Sequence, residues 1–112
     1  DMKQMKKTIS GKAGERFIEN TFTKNEIACA RCENVSKLST SFAAKEAVYK
    51  AFGTGWIEGK DVEVTRSKEE GTPGIRLHGE VAKIAKRRKI RKVLVSLSYT
   101  EGSAIAVALL IS

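Results

Sequence analysis

The stretch FAAKEAVYKAFGTG, residues 42–55, sets two cations, Lys45 and Lys50, around one carboxylate, Glu46. On an α-helix, at about 100° per residue, Lys45, Glu46 and Lys50 share one half of the wheel with Phe42 and Tyr49. Ala43, Ala44, Ala47, Val48, Ala51 and Phe52 fill the other half and read as the packed face. Glu46 and Lys50 stand i, i+4 in the favourable order, so one reading is a surface ion pair worth a few tenths of a kcal/mol. A second chemistry suits the same residues. Mg²⁺ takes oxygen ligands, typically one or two carboxylates, and leaves the rest of its octahedron to substrate phosphates and waters. Neighbouring lysines then offset the phosphate charge that the metal leaves over. Gly53-Thr54-Gly55 ends the segment, with Gly53 placed to adopt the left-handed conformation that closes a helix.

Other elements must hold that face in place. Met2, Met5 and Ile9, at i, i+3 and i+7, predict a helix from Asp1 to about Ile9, broken by SGKAG. ERFIENTF reads as a short helix with Phe17 and Ile18 inward. Thr23 and Glu26 have capping-box spacing and open a helix over TKNEIACARC. Residues 33–38 read as a connection, and Ser39, Thr40 and Ser41 as caps for a helix over 42–52. DVEVTRS (61–67) alternates, which predicts a strand. KEEGTPGI is a turn holding the only proline, Pro73, and IRLHG is a second short strand. EVAKIAKRRK is helical, with Val81, Ile84 and Ala85 on one stripe. KVLVSLS alternates, with Val93, Val95 and Leu97 on one face. SAIAVALLI is continuously apolar and predicts a strand buried on both faces. The turn YTEG joins these last two as an antiparallel hairpin. The fold class is α+β: a small, mainly antiparallel sheet formed late in the chain, with helices packed on it.

A chain of 112 residues predicts one domain, 1–112. A core of that size is modest, and oligomerisation would supplement it. The net charge is +8, from 21 Lys+Arg against 13 Asp+Glu, which favours an anionic partner. Nucleic acid, an anionic membrane surface, or an acidic protein with a phosphorylated small molecule all fit. No apolar run approaches the roughly 18 residues of a membrane span, and DMKQMKKTI lacks the apolar region of a signal peptide. The cysteines, Cys29 and Cys32, stand in CARC. A structural zinc needs four ligands, and His78 is distant in sequence. A redox pair opens a helix after a βα turn, whereas CARC follows the helical TKNEIA. The expectation is two reduced thiols in a cytoplasmic protein. A small basic nucleic-acid-binding module is the alternative reading, resting on the charge and on KRRKIRK (86–92). It is disfavoured because the chain has no helix-turn-helix, zinc spacing or RNP-like aromatic pattern. KRRKIRK also sits where a helix C-terminus favours cations.

FAAKEAVYKAFGTG resembles the (F/W)xxKEAxxK motif of the 4′-phosphopantetheinyl transferases, specifically the holo-acyl-carrier-protein synthase type, in which GTG follows directly. Asp1 with Met2-Lys3-Gln4-Met5 resembles the aspartate of the family's G(I/T)D segment and the helix it leads into. GERFIENTFTKNEI resembles G-x-R-(F/L)…(F/L)(T/S)xxE, and DVEV resembles the strand after GTG. GTPGIRLHGEVAKIA resembles GKPxLxLxGxAxxIA, and VSLSYTEGSAIAVALLI resembles the VSLSHT…A-A-V hairpin. The blocks cover almost the whole chain in order.

The resemblance implies transfer of the phosphopantetheine arm of coenzyme A to a serine of an acyl carrier protein, with release of 3′,5′-ADP. It implies Asp1 and Glu46 as Mg²⁺ ligands, Lys50 as a charge stabiliser at the diphosphate, and Lys45 as a residue that reaches phosphate or pins Glu46. The serine proton goes to a water on the metal or to Glu46, with the water favoured. Gly71-Thr72-Pro73 and Ser98-Tyr99-Thr100 resemble segments lining the nucleotide pocket, which neighbouring subunits of a homotrimer share; taken alone, the residues read as two ordinary turns. Lys3, Lys6, Lys7, Lys12 and Arg16 are candidates for docking an acidic carrier protein, where rim charges mostly raise the association rate. The family's strand before the metal aspartate is expected upstream of Asp1. Ser41 stands for a usual arginine, Thr72 for the lysine of GKP and Tyr99 for the histidine of SHT. These exchanges fall on coenzyme affinity more than on chemistry.

Overall fold

Thr23 and Glu26 close the box that their spacing predicts. In the computed structural model, which describes residues 5, 7, 8, 10–29, 34–66, 73–100 and 102–112, the Thr23 amide donates to Glu26 Oε1 at 2.8 Å and the Glu26 amide to Thr23 Oγ1 at 3.2 Å. This cap opens α2 (Lys24–Cys29), which follows α1 (Gly11–Thr21). Of the first predicted helix, Met5, Lys7 and Thr8 are helical; Asp1 lies outside the described residues.

The long helix α3 (Asn34–Phe52) starts well before the predicted caps. Residues 34–38 are helix rather than a connection, and Ser39, Thr40 and Ser41 sit buried inside it. Thr40 bonds its hydroxyl back to the Lys37 carbonyl at 3.1 Å, the local bond that lets a β-hydroxyl residue sit within a helix. The packed face is also rotated from the predicted one. Ala44, Val48 and Phe52 are buried as expected, but so are Lys45 and Tyr49, while Ala51 is exposed. Gly53 ends the helix at φ 76°, and its amide reaches the Tyr49 carbonyl at 2.9 Å.

A 3₁₀ turn (Gly59–Asp61) leads into β1 (Val62–Arg66), which pairs antiparallel with β2 (Pro73–Leu77), Val64 opposite Ile75. Helix α4 (Gly79–Arg87) is capped by Asp61, whose Oδ2 accepts from the amides of Glu80 at 3.0 Å and Val81 at 3.5 Å. The hairpin β3 (Lys92–Thr100) and β4 (Ser103–Ile111) forms as predicted, with Val93, Val95 and Leu97 opposite Leu110, Ala108 and Ala106.

Helix α3 lies on the hairpin and against β1. Val48, Tyr49, Phe52, Val62, Val81 and Ala85 form the main core beneath it, and Phe22 and Leu38 form a second, smaller one under α1 and α2. The expectation of a last strand buried on both faces is corrected. β4 alternates: Ala104, Ala106, Ala108 and Leu110 face α3, while Ile105, Val107, Leu109 and Ile111 are exposed. One helix layer covers only one face of a two-stranded sheet, whatever the sequence of the other. No helix among the described residues is long and apolar enough to cross a membrane.

Candidate active site

Glu46 and Lys50 stand one turn apart on the exposed face of α3 and line one cavity of about 390 Å³. Tyr49, Gly53, Gly55 and Trp56 complete it. Gly53 and Gly55 both have positive φ, and a Cβ at either would meet nothing within 4 Å, so the helix end leaves an open floor. The ion pair that i, i+4 spacing allows is not made: among the described residues neither Glu46 nor Lys50 has an ion-pair partner or a hydrogen-bonding side chain against it. A free carboxylate and a free ammonium side by side suit a ligand carrying both metal and phosphate.

Glu46 also lines a second, smaller cavity of about 80 Å³, with Met5, Ser39, Phe42, Ala43 and Ala104. Met5 is four residues from Asp1, and four residues of chain span at most about 14 Å. Ser39 is buried, and its Oγ has no hydrogen-bond partner among the described residues.

Lys45 does not join this site. It is fully buried, and its Nζ donates to Glu26 Oε1 at 2.8 Å, to the Gly59 carbonyl at 2.8 Å and to the Val62 carbonyl. An ammonium has three donors, so none remains for a phosphate or for Glu46. The physical reason for this correction is a compensated burial: burial pushes the Lys45 pKa down, and Glu26 pulls it back up. Glu26 also accepts from the Val64 amide at 2.8 Å, so one carboxylate ties α2, α3 and β1 together.

Sequence reasoning missed two further features. Glu63, on β1, is buried and accepts from Thr23 Oγ1 at 2.6 Å and Asn25 Nδ2 at 3.3 Å, and its Oε1 lies 3.0 Å from His78 Nε2. Burial pushes its pKa up, but these hydrogen bonds outweigh that and hold it below its ordinary value. Nothing local marks Glu63, whose partners are 15 to 40 residues away. Trp56 follows GTG and rests on Tyr49 and Phe42, with ring centroids 5.1 and 5.2 Å apart. The Tyr49 hydroxyl accepts from the Glu58 amide at 3.0 Å and donates to the Glu58 carbonyl, which fixes the loop behind the indole.

Pro73 begins β2, half-buried opposite Arg66, and Ser98 is exposed on β3 opposite Ile105; neither lines the Glu46 cavity in the single chain. Gly71 and Thr72 lie outside the described residues. Tyr99 and Thr100 pair with Ala104 and Ser103 through the backbone. Of the docking candidates, Lys7, Lys12 and Arg16 are exposed, while Lys3 and Lys6 lie outside the described residues. In the 86–92 cluster, Arg88 donates to the Phe52 carbonyl at 2.7 Å and lies over the Phe52 ring at 6.0 Å, closing the C-terminus of α3. Cys29 ends α2 and Cys32 lies outside the described residues. Among the described residues no three His, Cys, Asp or Glu side chains cluster as a metal site.

The profile of the 4′-phosphopantetheinyl transferase superfamily matches residues 1–108. The chain is 38% identical over 107 residues to a holo-[acyl-carrier-protein] synthase of Desulforudis audaxviator (strain MP104C), covering 92% of this chain and 81% of that protein. It is 40% identical over 106 residues to the fatty acid synthase subunit alpha of Candida albicans, covering 85% of this chain but 5% of that much larger protein. Its backbone superposes on the crystal structure of Helicobacter pylori holo-[acyl-carrier-protein] synthase in complex with coenzyme A with a TM-score of 0.84, at 24% identity over 97% of this chain and 92% of that one. That likeness establishes the shared fold.

Proposed function

The chain belongs to the 4′-phosphopantetheinyl transferase superfamily, as one of its holo-acyl-carrier-protein synthases, and from that premise we propose how its own residues carry the transfer. The reaction moves the 4′-phosphopantetheine arm of coenzyme A to a serine of an apo acyl carrier protein, in the service of fatty acid synthesis. The serine oxygen attacks the phosphorus that bears the arm. The bond from that phosphorus to the bridging oxygen breaks, and 3′,5′-ADP leaves.

The observation that carries this reading is the placement of Glu46. It lines one cavity beside Lys50 and shares another with Met5, close in the chain to Asp1. The donor set fits Mg²⁺, because Glu46 offers an exposed hard oxygen with no ion-pair partner among the described residues. Asp1 and Glu46 would hold it, and bound there it would neutralise charge on the diphosphate oxygens. Lys50 binds the same diphosphate and offsets charge that builds on the leaving oxygen. The serine proton passes to Glu46 or to a water beside it. Ser39 Oγ, buried in the small cavity without a partner among the described residues, can hold such a water. Lys7, Lys12 and Arg16 are exposed cations for the acidic carrier protein. Gly71-Thr72-Pro73 and Ser98-Tyr99-Thr100 serve the nucleotide across a contact between copies, in a homotrimer whose contact face includes the exposed side of β4.

The test is mass spectrometry of an apo carrier protein incubated with coenzyme A and Mg²⁺. The expected product carries the added arm. Replacing Glu46 with Gln is expected to lower the rate by about 10- to 100-fold with an unchanged thermal transition, and chelating the metal is expected to lower it in the parent chain. Full turnover by Glu46→Gln would refute the assignment.

A further inference from the structure

The 390 Å³ cavity is lined by residues of two chemical kinds. Glu46 and Lys50 are charged. Beside them, Trp56 presents an indole that is 44% exposed yet held by two ring contacts and by the pinned Glu58 loop. An exposed tryptophan fixed in place is an anchor surface rather than a loose side chain, because its position costs no ordering when a ligand arrives. Gly53 and Gly55 line the same cavity and leave it open. A ligand that fills it meets a cation and an aromatic surface together, which suits an anionic group joined to a largely apolar chain.

The geometry points to Trp56 as the platform on which the pantetheine arm of coenzyme A lies, and so as the residue that separates coenzyme A from arm-less nucleotides. This rests on the reading above, since it places the diphosphate at Glu46 and Lys50. The arm leaves the diphosphate on the side of the reacting phosphorus, so a platform next to Glu46 holds it while the serine attacks. Trp56 contacts the arm but no reacting atom. It sets affinity and selection, and the chemistry stays with its neighbours.

Trp56 is the only tryptophan in the chain, which makes it its own probe. Emission is followed while the full chain is titrated with coenzyme A plus Mg²⁺, and separately with 3′,5′-ADP, with binding of each measured in parallel by calorimetry. Coenzyme A is expected to shift the emission saturably, and 3′,5′-ADP to release heat without that shift. Trp56→Ala is expected to raise the KM for coenzyme A about tenfold, with kcat and the affinity for 3′,5′-ADP within about twofold of the parent. Trp56→Phe keeps an aromatic surface and is expected to recover most of the KM, which a general folding defect would not allow. Turnover with no emission change and an unaltered KM in Trp56→Ala overturns the platform while leaving the transferase reading intact. Equal weakening toward coenzyme A and 3′,5′-ADP also overturns it, because the ring would then serve the whole site. Absence of both coenzyme A heat and arm transfer overturns the platform together with the reading beneath it.

Discussion

Lys45 and Glu46 are adjacent in the chain and opposite in fate: one is sealed in the core and the other is free at the surface. The motif that contains them was legible, and so was the role of Glu46 as an outward carboxylate. The burial of Lys45 was not, because it depends on Glu26, 19 residues earlier, and on carbonyls 14 and 17 residues later. A lysine surrounded by alanines reads as a surface residue until its partners are in place. Removing one member of such a pair strands the other without compensation. Lys45→Met is expected to cost about 3–5 kcal/mol in urea unfolding, and Glu26→Gln added to it should restore part of the loss. Additive losses in that double variant would show that the pair is not coupled. Glu63 makes a pH prediction. Its folded pKa is depressed from the ordinary 4.5, so its contribution is present above pH 4.5 and is lost as pH falls through the lower folded value. Glu63→Gln should therefore be less stable than the parent near neutral pH and lose less on acidification. Parallel acid slopes for the two chains would exclude Glu63 as a source of the acid loss.

At the scale of elements, local signals did well wherever the deciding bond is local. The capping box at Thr23, the glycine close of α3 and the alternation of β3 all stand where the residues put them. The start of α3 was hidden, because Ser39, Thr40 and Ser41 are cap residues by preference and are helical here through burial against neighbours. The rotated face of the same helix has the same cause: the bonds of Tyr49 to Glu58 and of Lys45 to Glu26 draw both side chains inward. Gly59 shows how tightly the 3₁₀ turn is set between these parts. A Cβ there would stand 2.5 Å from the Thr21 carbonyl oxygen and 2.8 Å from Thr21 Cα, which are backbone atoms that cannot swing aside. Its carbonyl also accepts from Lys45. Gly59→Ala is expected to destabilise the chain by about 1–3 kcal/mol and to raise amide exchange in β1 and at the Thr23 cap together. Ordinary protection at both places with full stability would show that the turn can shift without cost.

The largest difference between sequence and fold is visible only in the whole molecule. SAIAVALLI is apolar at every position but its first, which is the pattern of a strand covered on both sides. In the single chain α3 covers one side, and Leu94, Ile105, Val107, Leu109 and Ile111 stay 40–59% exposed on the other. Register makes them a patch, because Leu94 sits opposite Leu109 and the rest alternate along β4. An apolar face of this kind marks a contact surface, and a second copy of the chain would supply what the strand's composition anticipates. The proposed homotrimer uses this face, so a charge at its centre should break the assembly and spare the fold. Leu109→Lys is expected to sediment as a monomer at concentrations where the parent is trimeric, with an unchanged helical spectrum. Its transfer rate should also fall, because Ser98 and Pro73 stand outside the Glu46 cavity of their own chain, and the proposed nucleotide site takes them across a contact between copies. A parent chain that is monomeric throughout the concentration range of the assay, yet fully active, would remove both the assembly and the shared site. It would leave Glu46 and Lys50 to act within one chain.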